Sequence, residues 1–309
     1  MNTAQKHIPV MLNEVLQSLN PTAKGVYVDA TFGFGGYTTA ILEKANCKVI
    51  AIDRDPSVKP RVLEIEKKYQ DRFEFRLGNF SNLKDLINTP VDGIVFDIGV
   101  SSMQLDDTER GFSFSKEAKL DMRMSSSGTS AYDIVNTSSQ EELADILYTF
   151  GEEKKSRQIA QKIIEARQKK PIETTTELAE IIYQVIRKKA GTIDPATRSF
   201  QAIRIAVNDE LGELEKGLKA ASELLKPEGR LVVVDFHSLE DRIVKNFFKS
   251  NSTPKIHVSK YAKPTQKSDK IFSFASDVIA PQKKEIDSNP RARSAKLRFG
   301  IKNKGEKNV

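Results

Sequence analysis

The chain has 309 residues, 39% of them hydrophobic and 29% charged, with a net charge of +7, one cysteine and three histidines. These proportions exclude a disordered or low-complexity chain and fit about two domains, or one large α/β unit carrying an insertion. A lone Cys47 forms no internal disulfide, and one cysteine with three histidines offers no zinc-finger spacing, so no metal site is expected. No stretch approaches the run of about 18 apolar residues that a membrane span needs, and Asn13 and Glu14 stand where a signal peptide would be apolar. The chain is expected in the cytoplasm, with no membrane partner.

Val26–Asp29 is a short apolar run ending in an acid, followed by clustered glycines and an amphipathic stretch from Thr38 to Lys44: strand, loop, helix. Lys48–Asp53 is a second strand, followed by helical spacing through Val62, Ile65 and Tyr69. Phe73–Leu77 and Val91–Asp97 make a third and a fourth. This alternation predicts a parallel sheet covered on both faces. Strand signals then lapse until Gly229–Asp235. Helical stripes fill the gap, at Leu143, Ile146, Leu147 and Phe150, at Ile159, Ile163 and Ala166, and at Leu178, Ile181, Ile182, Val185 and Ile186. Thr174 and Glu177 predict a capping box, one long helix is expected through Ile203, Val207, Leu211, Leu214 and Leu218, and Lys226–Gly229 is the turn back to the sheet. The fold class is α/β, a mostly parallel sheet at 1–105 and 213–309 interrupted by an all-helical domain at 106–212.

The charge collects at the end. From Lys249 to Val309 there are 15 basic and 5 acidic side chains, a net +10, which leaves −3 for the rest. A basic C-terminal tail from about residue 249, containing Asn289-Pro-Arg-Ala-Arg-Ser294, suits RNA phosphates, and suits equally a solvated, solubilising tail.

Asp29-Ala-Thr-Phe-Gly-Phe-Gly-Gly36 lies between a strand and a helix, where glycines allow a tight turn and the helix start favours an anion. A dinucleotide fingerprint needs a third glycine where Thr38 stands, which argues against a nicotinamide-dependent oxidoreductase. The loop suits S-adenosylmethionine, with its carboxylate at the helix start and its ribose on Asp53 at the end of the second strand; the plain alternative is a generic α/β turn. Asp97-Ile-Gly-Val-Ser-Ser-Met-Gln104 follows the fourth strand, where open α/β sheets place ligands. Asp97 can reach cofactor and substrate, Gln104 an adenine edge or a methionine group, and Phe80 can pack against adenine or simply fill core. In Asp235-Phe-His-Ser-Leu-Glu-Asp-Arg242, Ser238 and Asp241 are spaced as a capping box, which leaves His237 outside the helix as a structural residue or at the same rim.

Cys47 opens the second strand, away from Asp97 and His237, which disfavours a cysteine nucleophile and so methylation at cytosine carbon-5. Methylation of an amine or a hydroxyl needs only alignment and a proton acceptor, and a carboxylate such as Asp97 suits an exocyclic amine. The Pro-Pro box of many amino-methyltransferases is absent. Arg110-Gly-Phe-Ser-Phe114 and Leu120-Asp-Met-Arg-Met124 combine rings and guanidinium groups that could stack on bases and hold phosphates, or pin the insertion.

Together these residues resemble the bacterial ribosomal small-subunit methyltransferase H family, also called MraW. The likeness is carried, besides the motifs above, by His7-Ile-Pro-Val10, Ala51-Ile-Asp-Arg-Asp-Pro56, Gly99-Val-Ser-Ser102, Gln104-Leu-Asp106, Gly151-Glu-Glu153, Pro195-Ala-Thr-Arg198 and Phe200-Gln-Ala202. The resemblance implies a class I, Rossmann-like methyltransferase with a helical insertion for substrate recognition. Its implied reaction is methyl transfer from S-adenosylmethionine to N4 of a decoding-centre cytidine in 16S rRNA, with both naked RNA and the small ribosomal subunit open as the substrate. The family's cofactor positions fall at Gly35, Gly36, Tyr37, Asp53, Phe80, Asp97 and Gln104, and Asp97 and His237 are the candidate catalytic residues. A homodimer and a monomer both stay open, as does a non-catalytic RNA-binding assembly factor. The sequence departs from the family at Tyr37, where histidine is usual, at Met103, where proline is usual, and at Asp194, again in place of histidine.

Overall fold

The computed structural model describes residues 9–125, 127–253 and 270–304. His7 and Ile8 of the first motif, and 254–269 of the basic stretch, lie outside the described residues. The chain divides into two compact units, one made of the residues up to Gly99 and from Leu211 onward, the other of Val100–Glu210. These cuts differ by a few residues from the expected ones; at the first of them Val100 and Leu105 pack on the helical core.

The first unit runs α1 (Leu12–Leu19), β1 (Val26–Asp29), α2 (Gly36–Lys44), β2 (Lys48–Asp53), α3 (Lys59–Tyr69), β3 (Phe73–Leu77), α4 (Leu83–Leu86) and β4 (Val91–Asp97). In β2, Val49 and Ala51 point into one core with α1, α2 and α3, while Ile50 and Ile52 point into another with α4. Burial on both faces is why these strands read as continuous apolar runs. The helical unit holds α5 (Ser102–Asp106), α6 (Ala131–Thr137), α7 (Gln140–Gly151), α8 (Ser156–Arg167), α9 (Thr175–Val185) and α10 (Ala196–Asn208), around a core of its own that includes Leu143, Leu147, Ile159, Ile163, Leu178, Ile182 and Ile203. Thr174 and Glu177 form the expected capping box of α9. The chain returns through α11 (Glu210–Leu224), β5 (Leu225–Asp235), α12 (Ser238–Asn251), β6 (Phe272–Ala275), α13 (Lys283–Ser288) and β7 (Lys296–Lys302). The strand order is β3-β2-β1-β4-β5-β7-β6, with β1 to β5 parallel and β7 antiparallel to both of its neighbours. The order reverses between β1 and β4, the switch point at which open α/β sheets bind ligands. No helix among the described residues is long and apolar enough to cross a membrane.

Three expectations are corrected, and one of two open alternatives is favoured. The single long helix is two: Asn208 donates to the Met122 carbonyl at 2.7 Å and accepts from the Met124 N–H at 2.8 Å, and Asp209 follows at φ 46°, which ends α10. The turn at Lys226–Gly229 is an excursion within β5, where the register jumps from Val91↔Leu225 to Gly93↔Arg230. The basic tail contributes to the sheet: β6 and β7 come from it, and Lys296 and Arg298 both pair with Asp241 of α12, at 2.7 and 2.8 Å. Finally, the rings of the Arg110–Phe114 motif pin the helical unit. Phe112 is buried, Phe114 packs edge-on against Phe200 at 4.8 Å, and Arg110 donates to the Arg123 and Met124 carbonyls.

Candidate functional site

Four parallel strands of the sheet unit end in aspartate: Asp53 on β2, Asp29 on β1, Asp97 on β4 and Asp235 on β5, in that spatial order. Asp29 lies level with Ala51 and Val95, so Asp53 and Asp97 each stand two residues beyond it on either side. The backbone register therefore builds a notch floored by Asp29 and flanked by two acids, at the switch point of the sheet.

Asp29 organises the loop. It is buried and accepts from the Thr38 hydroxyl at 2.7 Å, from the Thr38 N–H at 3.1 Å and from the Thr31 N–H at 3.3 Å. Burial lifts its carboxyl to about 6, against the lowering effect of those donors. Thr31 in turn accepts from the Asp97 N–H at 2.7 Å, which ties the loop to β4. Gly35 caps α2 at φ 71°, a conformation that costs any other residue about 1–2 kcal/mol, and Gly36 is the first residue of the helix.

Asp53 accepts from the Gly33 N–H at 2.7 Å on one oxygen and from the Asp55 N–H at 2.9 Å on the other, and burial raises it to about 6. A carboxylate has about four acceptor positions, so room remains on Asp53 for a hydroxyl donor. Asp97 differs: its Oδ1 is shielded from solvent and has no hydrogen-bond partner. Burial, with the charges of Asp29 and Glu240, pushes its carboxyl up to about 8. All three influences favour the neutral acid, so a ligand that brings an N–H donor or a cation here gains what the protein leaves unsatisfied.

The remaining candidates are placed as follows. Tyr37 turns its side chain into the core, where its hydroxyl donates to the Val10 carbonyl, and burial with Asp97 and Asp29 nearby pushes the phenol well above its ordinary range. It thus anchors the N-terminal segment as a neutral donor, and only its backbone remains at the start of α2. Phe80 is half-buried in a 3₁₀ turn, edge-on to Phe96 at 5.3 Å and so close to Gly217 that a Cβ there would lie 2.6 Å from the ring. Gln104 belongs to the other unit. It completes a capping box on α5, accepting from the Ser101 N–H at 3.0 Å, so this turn is held without the proline that Met103 replaces.

His237 is itself the N-cap of α12. Its Nδ1 accepts from the Glu240 N–H at 3.4 Å, and its Nε2 lies 3.1 Å from Glu240 Oε1. The expected Ser238–Asp241 box is one residue out of register, because Glu240 also accepts from the Phe236 and His237 N–H groups while Asp241 turns to Lys296 and Arg298. Sequence reasoning passed over two acids, Glu240 and the fully buried Asp235, whose carboxyl is also pushed up to about 8 by burial. The recurrence of aspartate at strand ends was the available signal.

Comparison with known proteins follows the same lines. The model of the MraW methylase family matches residues 4–303. The ribosomal RNA small subunit methyltransferase H of Rickettsia conorii (strain ATCC VR-613 / Malish 7) is 53% identical over 298 residues, 95% of this chain and 97% of that one. Its namesake from Rickettsia bellii (strain OSU 85-389) is 52% identical over 304 residues, 96% of this chain and 99% of that one. Among solved structures, an rRNA methylase from Streptococcus thermophilus overlays with a TM-score of 0.44 and 10% identity, covering 97% of this chain and 99% of that one.

Proposed function

The chain belongs to the MraW methylase family, and from that premise we propose that it is the S-adenosylmethionine-dependent methyltransferase acting on N4 of a decoding-centre cytidine in 16S rRNA, in the cytoplasm and on the small ribosomal subunit. The observation that carries this reading is the notch of strand-end acids, with Asp97 Oδ1 buried and unpartnered. S-adenosylmethionine supplies an electrophilic methyl group on a cationic sulfur, together with an ammonium, a carboxylate and a ribose diol. The residues present fit it: a row of acids for a cation, an orphan acceptor for an N–H, and a helix start for a carboxylate.

In this reading the backbone of Gly35, Gly36 and Tyr37 at the start of α2 holds the carboxylate. Asp53 accepts from the ribose hydroxyls, and the half-exposed ring of Phe80 lies under the adenine. Asp97 accepts an N–H, either from the donor's ammonium or from the exocyclic amine of the base. The target amine is conjugated with its ring; a carboxylate that accepts its hydrogen localises the lone pair and takes up the proton as the N–C bond forms, while the methyl–sulfur bond of the donor would break and leave a neutral thioether. His237, locked against Glu240 as a helix cap, orients the start of α12.

Replacing Asp53 with alanine is expected to weaken S-adenosylmethionine binding about 10- to 100-fold, the loss of one or two hydrogen bonds to a charged acceptor. Titration calorimetry measures this directly, and wild-type affinity in the variant would remove Asp53 from the site. The overall reading is tested by transfer of labelled methyl to small subunits that lack the modification, followed by nucleoside digestion and mass analysis. Label in N4-methylcytidine is the expected result; label in another nucleoside, or none despite donor binding, overturns it.

A further inference from the structure

The helical unit gathers cations from three separate stretches of sequence onto one corner. Lys154, Lys155 and Arg157 lie where α7 gives way to α8, Arg187, Lys188 and Lys189 follow α9, and all six are exposed. The Lys155 ammonium donates to the Val185 carbonyl at 3.0 Å, which joins the start of α8 to the end of α9. Arg198, in the first turn of α10, reaches back to the Glu152 carbonyl at 3.5 Å, and Gln201 donates to the Phe150 carbonyl at 3.3 Å, so α10 begins at the same corner.

Of the acids nearby, Glu152 is exposed in the α7–α8 turn, and two others are committed. Glu153 is buried and accepts from the Lys155 N–H at 2.9 Å. Asp194 accepts from Tyr183 and from the Ala196 N–H, and it lies 3.3 Å from the Lys188 ammonium, which also sits 3.9 Å from the centre of the Tyr183 ring. Cations beside the carbonyl end of a helix are common and mildly stabilising, and Lys155 and Lys188 fill that role at α9. Lys154, Arg157, Arg187 and Lys189 do not: none has an ion-pair partner among the described residues. Uncompensated like charges crowded on one surface cost folding stability and call for an outside anion.

We infer that this corner of the helical unit, formed by the α7–α8 turn, the end of α9 and the start of α10, is a docking surface for the phosphate backbone of RNA. The inference rests on the rRNA reading above and deepens it by placing a contact surface on the insertion. Phosphate is the occupant favoured here because the groups are long, exposed and mixed Lys and Arg, which neutralise successive charges along a polyanion, and they line no enclosed pocket that would select a small anion.

The test uses the full chain carrying Lys154→Gln, Arg157→Gln, Arg187→Gln and Lys189→Gln together, with the pair Arg187→Gln and Lys189→Gln as a milder variant should the quadruple lower the melting temperature. Binding to 16S rRNA in small subunits is measured between low and moderate salt. The quadruple is expected to raise Kd at least about tenfold and to make the slope of log K against log salt shallower by about one per phosphate contact removed, roughly three to four in all. Affinity for S-adenosylmethionine and kcat at saturating RNA stay at wild-type values. An unchanged Kd and slope overturns the inference, as does loss of binding to vesicles of anionic phospholipid while rRNA binding is intact. The wild-type methylation assay tests the reaction by itself, whereas the wild-type-to-variant difference in rRNA binding needs no turnover, so the two readings fail separately.

Discussion

Replacing Asp97 with asparagine is expected to cut methyl transfer by at least about 10³-fold and, at the same time, to stabilise the ligand-free protein at neutral pH. The first effect follows from removing the carboxyl group that a bound cationic donor shifts from the neutral acid, favoured in the ligand-free protein, to the carboxylate that accepts the amine's proton. The second follows from linkage. The Asp97 carboxyl stands at about 8 in the folded chain, against 3.8 as its ordinary value. Between those two values the folded state holds a proton that the unfolded state has released. Stability is therefore fully present below the lower value, falls as pH rises through the window and levels off above about 8. Each unit of that window is worth about 1.4 kcal/mol, so a loss of about 2–4 kcal/mol between pH 4 and pH 7 is expected from this side chain, discounted for its partial exposure. Asparagine has nearly the same shape and no such charge; the variant should melt several degrees higher at pH 7 and show a flatter pH dependence. Calorimetric melting across pH measures this, and a variant that keeps the wild-type slope, or wild-type turnover, would sink the assignment. Donor affinity separates the two roles of Asp97: a parallel loss places it on the ammonium, and an unchanged affinity places it on the amine of the base.

Replacing Gly111 with alanine is expected to destabilise the helical unit by about 3–5 kcal/mol. Gly111 sits at φ 72°, and a Cβ there would fall 2.2 Å from the Lys119 carbonyl oxygen. The left-handed conformation alone costs about 1–2 kcal/mol for an L-residue, and the clash adds an overpacking term of similar or larger size. The obstructing backbone has little room to retreat. Lys119 bridges to Thr174, the Leu120 N–H donates to the Glu173 carbonyl at 3.0 Å, and the Ala131 and Tyr132 N–H groups bond to Asp121 and Leu120. Hydrogen exchange in the full chain should show lost protection across Leu120–Thr137 and around Thr174, with turnover on small subunits falling in step. S-adenosylmethionine affinity should fall much less than turnover, since the strand-end acids belong to the other unit and its separate core and only Gln104 among the cofactor candidates belongs to this one. Wild-type exchange protection in the variant would show that the Lys119 segment yields, contrary to this expectation.

The parallel sheet was legible in the chain because strands buried on both faces must be apolar throughout, as in Lys48–Asp53 and Val91–Asp97, and such runs are local. The same holds for the glycine loop, the acids at the strand ends, the helical stripes and the box at Thr174. What stayed hidden depended on partners far away in sequence. In β7 the cations Lys296 and Arg298 break the apolar pattern, and they are accommodated because Asp241, more than fifty residues earlier, receives both. The break between α10 and α11 leaves the hydrophobic period intact; it is made by Asn208 reaching Met122 and Met124. Tyr37 reads as a site residue until Val10 is seen to accept its hydroxyl. The unpartnered oxygen of Asp97 and the basic corner of the helical unit are likewise sums over several elements. Composition and periodicity are properties of neighbours along the chain, and they determined the fold class and the row of acids. Which polar groups are satisfied, and where charges meet, are properties of neighbours in space, and only the tertiary structure decided them.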